Sequence, residues 1–498
     1  MNLSTDICYQ ALLARDARYD GRFFTCVTST GIYCRPICPA QTPMLANCRF
    51  VASAAAAQEA GFRPCLRCRP ESAPESPAWA GTSATVKRAL RLIDEGALDE
   101  VGLEALCDRL GVGSRQLRRL FQRHLGASPL AVAQTRRLLL AKQLLHETEL
   151  PLADVALASG FGSVRRFNEV FLHLYGRAPG TLRGRRAEHS QAAALTLRLP
   201  YRPPYDWQAM LAFLARRIIP GLECIDEERY QRVFRVGETI GSVSVTHAPG
   251  DNALQASIRL PELSALPNVI ARLRRLFDLQ ADPEAIRRGL GRDPALAPLV
   301  ESRPGLRVPG GWDPFEVAVR AILGQQVSVD AATGLAGRLV ERLGENMMDQ
   351  AETGLNRLFP SPDRFTFDEI KALGMPSARA TALVRLAATY REQPQLFDRR
   401  QDLDETVAHL CALPGIGEWT AHYIAMRGLQ ESDAFLPSDV ALQRVLAEQG
   451  QRPTPRELLA RAEAWRPWRA YAVIHLWHAD GATTRVNSQQ ERGDATLV

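Results

Sequence analysis

The sequence predicts a multidomain, mainly α protein, and three observations carry that expectation. The chain is 498 residues long, enough for three or four domains. Two close cysteine pairs, Cys34/Cys38 and Cys65/Cys68, lie near the N-terminus with 26 residues between them, the spacing of a small metal-held unit. Helical periodicity broken by glycine turns then recurs at residues 102–124, 152–173 and 404–428.

Composition adds bounds. A hydrophobic content of 46% and a charged content of 23% are ordinary for a soluble globular protein. No apolar run reaches about 18 residues and no signal-peptide pattern is present, so a cytoplasmic protein without membrane contact is expected. Ten cysteines suit a reducing compartment. The net charge of +6 is unevenly spread: residues 79–190 hold 17 Lys or Arg against 11 Asp or Glu, as a phosphate-contacting segment should. Two linkers are read, ESAPESPAW at 71–79 and RGRRAEHSQAAA at 183–194, and the polar tail from Gly481 is expected to lack fixed structure.

The cysteines come first. Two pairs on tight turns, folded back on one another, make a tetrahedral zinc site, and four thiolates on a divalent cation leave a net double negative charge. On spacing alone a purely structural site is the more frequent outcome; a reachable thiolate is also a nucleophile. No histidine lies in the first 120 residues, so a mixed Cys/His site is excluded. Cys8, Cys26 and Cys48 remain, and of these Cys48 is a competing ligand that lacks a close partner.

The wording around the cysteines, TGIYCRPICP and AGFRPCLRC preceded by ARDARYDGRFF (14–24), resembles the N-terminal domain of the Ada adaptive-response proteins over residues 10–70. The resemblance implies a small α/β domain at 1–75. It also implies that one zinc is held by Cys34, Cys38, Cys65 and Cys68, and that Cys34 is the catalytic acceptor that takes a methyl group from a methylated DNA phosphate.

The basic segment follows. Leu103, Leu106 and Leu110 share one helical face, and Leu117, Leu120 and Phe121 the next. Gly111 stops the first helix and Ser114 is the expected N-cap of the second, whose polar face carries Arg115, Gln116, Arg118, Arg119 and Arg123. Residues 152–173 repeat the plan with Gly160, Ser163, Arg165, Arg166 and Asn168. An Arg-rich face is often merely solvated; its double occurrence behind a helix stop is the composition of two recognition helices. Two such units joined by a helix at about 129–147, with DVALASGFGSVRRFNEVFLHLYGRAPGTLR, resemble the AraC-type double helix-turn-helix domain, here 82–186. Arg115, Arg118, Arg119, Arg165 and Arg166 are the expected DNA contacts.

In the C-terminal half, two amphipathic helices flank Leu413-Pro-Gly-Ile-Gly417, whose glycines allow close backbone approach and leave free N–H groups for one DNA phosphate. Asp439 follows 22 residues after Gly417. Such a turn alone is weak evidence; with the downstream Asp it resembles the helix-hairpin-helix glycosylases. PPYDWQAMLAFLARR (203–217), LFDLQADP (276–283), RPGLRVPGGWDPFEVAVRAILGQQVSV (303–329) and WRPWRAYAVIHLWHADG (465–481) extend the likeness to the AlkA-type 3-methyladenine DNA glycosylases II. This implies a mixed α/β domain at 195–303 and an all-α helix-hairpin-helix domain at 304–485. It also implies a catalytic Asp439, a base pocket of Trp419, Tyr423 and Trp477, and DNA contacts at Gly415, Gly417 and Gln326. Trp312, Trp465 and Trp468 are assigned to the core.

There are departures. The family's wedge residue is Leu where this chain has Gln326, which hydrogen-bonds an orphaned base but stacks less well. Trp419 stands where strand-cleaving glycosylases carry a nucleophilic Lys, and no C-terminal four-cysteine iron–sulfur loop is present, so a monofunctional enzyme is expected. The Pro-Cys-His-Arg motif of a second methyltransferase domain is absent.

The expectation is therefore a fusion of an Ada-type methyl sensor and activator with an AlkA-type glycosylase. It would be monomeric, acting on damaged and promoter double-stranded DNA, and contacting RNA polymerase. One alternative is a repair glycosylase whose N-terminal half only targets DNA. Another is a transcription factor with a decayed glycosylase, against which Asp439 and the pocket aromatics stand.

Overall fold

Four structural units follow one another along the chain in the computed structural model, which describes residues 3–73, 84–100, 102–183, 194–347, 354–398 and 402–494, with side chains to 481. The two linkers lie, but for their edges, outside the described residues. No helix among the described residues is long and apolar enough to cross a membrane.

The first unit holds α1 (Thr5–Leu13), β1 (Phe24–Val27), β2 (Ile32–Cys34), β3 (Cys48–Val51), α2 (Ala54–Glu59) and β4 (Arg63–Pro64). Its sheet runs β3-β1-β2-β4. β1 is antiparallel to both neighbours, and β4 lies parallel to β2 with Tyr33 opposite Pro64. The Cys65 amide then donates to the Tyr33 carbonyl at 3.0 Å. Two strands from opposite ends of the segment thus end side by side, which brings the two cysteine pairs together.

The second unit is helical: α3 (Ala84–Asp94), α4 (Ala97–Glu100), α5 (Leu103–Leu110), α6 (Ser114–Leu125), α7 (Pro129–Glu147), α8 (Leu152–Ala158) and α9 (Val164–Tyr175). Gly111 ends α5 in the left-handed region at φ 69°, where only glycine is free of steric cost. Ser114 is the first residue of α6 rather than its cap; Gly113 occupies the N-cap without a side-chain bond. Ser163 caps α9 through the Arg166 amide at 3.2 Å, and Ser128 caps α7 with Pro129 behind it. The core takes Leu103, Leu106, Leu110, Leu117 and Phe121, the face that periodicity marks. The first two units are tied by Lys142 and Glu71, both fully buried and 2.7 Å apart. Removing either partner would strand a buried charge.

The third unit is a five-stranded antiparallel sheet, β5 (Leu195–Pro200), β6 (Glu223–Asp226), β7 (Arg229–Val236), β8 (Thr239–Ala248) and β9 (Ala253–Arg259), in the order β5-β9-β8-β7-β6. Period-2 burial along β8 puts Val243 and Val245 inward, against α10 (Trp207–Ala215) and α11 (Leu266–Leu276). The remaining chain is helical: α12 (Pro283–Leu290), α13 (Ala297–Ser302), α14 (Pro314–Leu323), α15 (Val329–Leu343), α16 (Phe367–Lys371), α17 (Ser377–Glu392), α18 (Leu403–Cys411), α19 (Glu418–Gly428), α20 (Val440–Val445), α21 (Pro455–Ala462) and α22 (Arg469–Asp494). A buried network fastens this unit to the sheet: Arg232 of β7 pairs with Glu316 of α14 and with Glu223, and Arg320 of α14 reaches Glu223 at 2.6 Å. The tail from Gly481 departs from expectation by continuing α22 to Asp494; extending an anchored helix costs little once its nucleus is packed. Trp312 and Trp465 are buried, whereas Trp468 is half-buried.

Candidate metal centre and candidate base pocket

Sulfur atoms of Cys34, Cys38, Cys65 and Cys68 all lie within 4.8 Å of one another, with Cys38 and Cys65 4.0 Å apart and no disulfide among them. Cys34, at the end of β2, is half-buried as a residue while its three partners are buried, and all four stand as buried in the cluster. Packed this way, the thiols cannot ionise together unaided. Hydrogen bonding to Cys38, Cys65 and Cys68 pushes the Cys34 thiol far above its ordinary range, and bonds from Cys34, Cys38 and Cys68 hold Cys65 far below it. A divalent cation resolves that competition, and four soft sulfurs at this separation are the donor set of a closed zinc site. The protein's metal is one zinc. Cys48 lies apart, its sulfur 3.4 Å from the Met44 carbonyl.

Arg35 organises the rim. Its amide donates to Cys68 Sγ at 3.3 Å, and its guanidinium binds the Cys68 carbonyl at 3.0 Å and the buried Asp20 carboxylate. Further along the chain, Arg115, Arg118 and Arg119 project from α6 and Arg165 and Arg166 from α9, all exposed. The α9 pair shares Glu169, at 2.9 Å from Arg165. Such exposed pairs contribute well under 1 kcal/mol and yield readily to a phosphate.

The turn between α18 and α19 is exposed at Gly415 and Gly417. The two glycines differ: Gly415 sits at φ +86°, and a Cβ there would come within 2.5 Å of Ala382 on α17. Gly417 has an ordinary negative φ and serves as the N-cap of α19 without a side-chain bond, so the leading amides stay open. Gln326 lies exposed in the loop between α14 and α15 at φ 56°, a conformation that strains a non-glycine residue. Its neighbour Gln325 holds that loop to the hairpin, donating to the Gly415 carbonyl at 2.8 Å and to Thr420 at 3.1 Å.

Trp419 and Tyr423 stand one turn apart on α19 and stack at 5.3 Å with an interplanar angle of 14°. Trp477 of α22 lies 6.4 Å from Tyr423 and stacks on Phe213 of α10 at 6.4 Å. All three pocket aromatics pack against the cluster that takes Leu442 of α20, the helix opened by Asp439. Asp439 is half-buried, and its Oδ1 accepts from the amides of Ala441 at 3.0 Å and Leu442 at 3.3 Å.

Sequence reasoning passed over Phe213, Arg217, Arg427 and Gln325. Arg427 donates to the Tyr423 hydroxyl at 2.7 Å and is locked by the carbonyls of Pro309 and Gly310. Arg217 lies 3.7 Å over the Phe213 ring. Burial pushes the Tyr423 phenol up, and the charges of Arg427 and Arg217 more than offset it, leaving the phenol below its ordinary value. Phe213 and Arg217 sit inside the PPYDWQAMLAFLARR stretch, but their meeting with α19 is long-range and has no local signal.

Family models match in chain order. The metal binding domain of Ada matches residues 7–71, a helix-turn-helix domain 106–185, and the AlkA N-terminal domain 196–313. The molecule is thus an Ada-type zinc domain and a helix-turn-helix unit joined to an AlkA-type glycosylase fold. A Mycobacterium tuberculosis (strain CDC 1551 / Oshkosh) protein described as a probable bifunctional transcriptional activator/DNA repair enzyme AlkA is 42% identical over 475 residues, covering 94% of this chain and 95% of its own. The chain belongs to that bifunctional AlkA family. DNA-3-methyladenine glycosylase 2 of Escherichia coli (strain K12) is 38% identical over 286 residues, 57% of this chain and 97% of its own. Among solved structures, the 3-methyladenine DNA-glycosylase from Archaeoglobus fulgidus matches with a TM-score of 0.50 at 20% identity, over 57% of this chain and 97% of that one, a likeness of fold.

Proposed function

We propose that this chain is a bifunctional DNA alkylation repair and response protein. Cys34 takes a methyl group from a DNA methylphosphotriester and thereby turns the N-terminal half into a transcriptional activator. The C-terminal half hydrolyses alkylated bases such as 3-methyladenine from DNA. The observation that supports it best is the coexistence, in one chain, of four cysteine sulfurs gathered for one metal ion and a stacked Trp419–Tyr423 pair packed on the same core as the helix that Asp439 caps.

With zinc bound, the four sulfurs are thiolates at neutral pH. The Cys34 sulfur attacks the methyl carbon, a C–S bond forms, the C–O bond to the phosphotriester breaks, and the phosphodiester leaves with the electron pair. The resulting thioether is not turned over, so Cys34 acts once. Incubation with labelled methylated DNA should place one S-methyl group per chain, on Cys34 by peptide mapping; a label on Cys38 or Cys48 would overturn the assignment.

Transfer removes one negative charge from the cluster. At ~8 Å from a phosphate and an effective dielectric of ~20, this relieves about 2 kcal/mol of repulsion, roughly thirtyfold in affinity. The α6 and α9 arginines supply the remaining phosphate and base contacts, the tandem units letting a monomer span successive major-groove segments and present itself to RNA polymerase. Promoter binding by premethylated protein should exceed that of unmethylated protein by about this factor at low salt and converge as salt rises. Equal affinity would favour a half that only targets DNA.

In the glycosylase half, the Gly415–Gly417 turn holds a phosphate on open amides. Gln326 enters the gap left by the flipped nucleotide. Trp419, Tyr423 and Trp477 take the cationic base, an interaction of roughly 2 kcal/mol when desolvated. Asp439 stabilises the oxocarbenium sugar and orients water. Release of 3-methyladenine from alkylated DNA by the purified chain tests the reading.

A further inference from the structure

A set of hydrogen bonds, joined by one short covalent stretch of main chain after Arg307, runs from the cysteine cluster into the glycosylase half. It begins at Cys68 Sγ, which accepts from the Arg35 amide, and at Asp20, which Arg35 holds by its guanidinium at 2.9 Å. The main-chain oxygen of Asp20 accepts from Arg202 Nε at 3.2 Å, a fully buried arginine just after β5. The Arg202 carbonyl in turn accepts from Arg307 at 2.7 Å. Two and three residues beyond Arg307, the carbonyls of Pro309 and Gly310 hold Arg427, whose remaining nitrogen is on the Tyr423 hydroxyl. Beside this set, Arg22 pairs with Asp282, the N-cap of α12, so the Asp20–Arg22 loop is seated on the α/β unit at two points.

The packing around that seat is loose. A cavity of about 340 Å³ lies between the first two units and the glycosylase half, bounded by Phe24, Leu90, Leu139, Ile270 and Trp468. On the side of the glycosylase half the sensor is held by these few polar links beside an open cleft, and contacts of that kind shift at less cost than a close-packed interface.

We infer that the cysteine cluster is coupled to the base pocket through Arg35, Asp20, Arg202, Arg307 and Arg427, so that methylation of Cys34 loosens the seat of the zinc unit and relaxes the support of Tyr423. This rests on the methyl-acceptor reading given above. The physical step is the fall of the cluster from a double to a single negative charge. Arg35 bridges the cluster and Asp20, its amide on Cys68 Sγ and its guanidinium on the Cys68 carbonyl and the Asp20 carboxylate; with less charge on the cluster it is drawn off Cys68 toward Asp20, and the Asp20 loop shifts with it, so that the Asp20 carbonyl moves off Arg202. The bonds on the far side then lose a fixed neighbour.

Hydrogen exchange on the full-length, zinc-loaded chain tests the coupling. Two amides report on it: Arg22, which donates to Tyr19 on the sensor side, and Gly311, which donates to the Arg427 carbonyl on the pocket side. Methylation, verified by intact mass, should speed exchange at both by about tenfold or more, the factor for losing one charged hydrogen bond. Asp20→Asn should reproduce both changes without any methyl group, its zinc content showing that the domain remains folded. Arg202→Met should leave the response to methylation at Arg22 and remove it at Gly311. A methylated chain with exchange altered at Arg22 alone, or at neither, overturns the coupling. If the chain takes no methyl, the acceptor reading falls instead, and Asp20→Asn decides the coupling: unchanged exchange at Gly311 refutes it. Should Asp20→Asn lose zinc, Arg202→Met in unmethylated protein replaces it, with faster exchange at both amides expected and unchanged exchange at either overturning the inference.

Discussion

Asp439→Asn should abolish release of 3-methyladenine while leaving the fold and the grip on abasic-analogue DNA almost intact. The structure makes this substitution unusually clean. Oδ1 of Asp439 accepts both capping amides, from Ala441 and Leu442, and Oδ2 makes no hydrogen bond among the described residues. Asn caps a helix about as well as Asp, so α20 stays in place and the loss is of charge alone. In the proposed reading that charge acts on the oxocarbenium sugar, which exists only near the transition state. The effect therefore falls on kcat, by about 10³-fold or more, the scale of removing one preorganised electrostatic group. Affinity for a stable abasic analogue should change by a few-fold at most. Single-turnover base release and equilibrium binding on the same preparation check both halves, and equal losses in the two would show that Asp439 only shapes the site. On the resemblance drawn from the sequence, which places Trp419 where strand-cleaving relatives carry a Schiff-base lysine, the wild-type product should be an unbroken strand with an abasic site; a borohydride-trapped adduct would contradict this.

Cys65→Ala should empty the metal site and unfold residues 3–73. The apolar core of that unit is small, gathered around Phe24, Cys26, Tyr33, Ala54 and Ala57, and Cys38, Cys65 and Cys68 form a separate cluster with only Ile32, Cys34 and Ala40 packed against it. A unit of this size does not hold itself together on apolar burial. Structural zinc contributes on the order of 10–16 kcal/mol, comparable to or larger than the whole stability of an ordinary domain. Zinc content and the near-ultraviolet signal of Tyr33 should both collapse in the variant, while base release by the C-terminal half is retained to within the limits of the coupling above. A full zinc complement in Cys65→Ala would refute the ligand set.

Much of this was legible in the sequence because the signals are local. Cysteine spacing states its own geometry, and the Leu103, Leu106, Leu110 stripe with Gly111 behind it states a helix and its end. Asp439 and the α19 aromatics were named through resemblance, where spacing alone said little, and their roles are the proposal made above. What was not legible depends on distant pairings. Gly113 takes the cap position because the chain turns one residue earlier than the serine suggests. The sequence offers no sign that Phe213 slides beneath Trp477, or that Gln325, adjacent to the expected wedge, is the residue that pins its loop. The ionic seat of the zinc unit on the glycosylase half joins residues some 260 positions apart, as in Arg22 and Asp282, and no periodicity reports such a meeting.

The buried Lys142–Glu71 pair has company along the same border. Thr135 donates to Gln58 at 3.0 Å, Ser128 to Glu59 at 3.0 Å, and Ser53 to the Leu125 carbonyl at 2.8 Å. Together these contacts make a ruler. The distance from the Cys34 sulfur to α6 is measured out in packed protein, and the peptide that links the two units in sequence has little say in it. If the metal centre and α6 engage promoter DNA as proposed, its operators should carry one fixed offset between the phosphate that faces the metal centre and the first half-site, and an inserted base pair there should cost far more affinity than an inserted residue in the linking peptide.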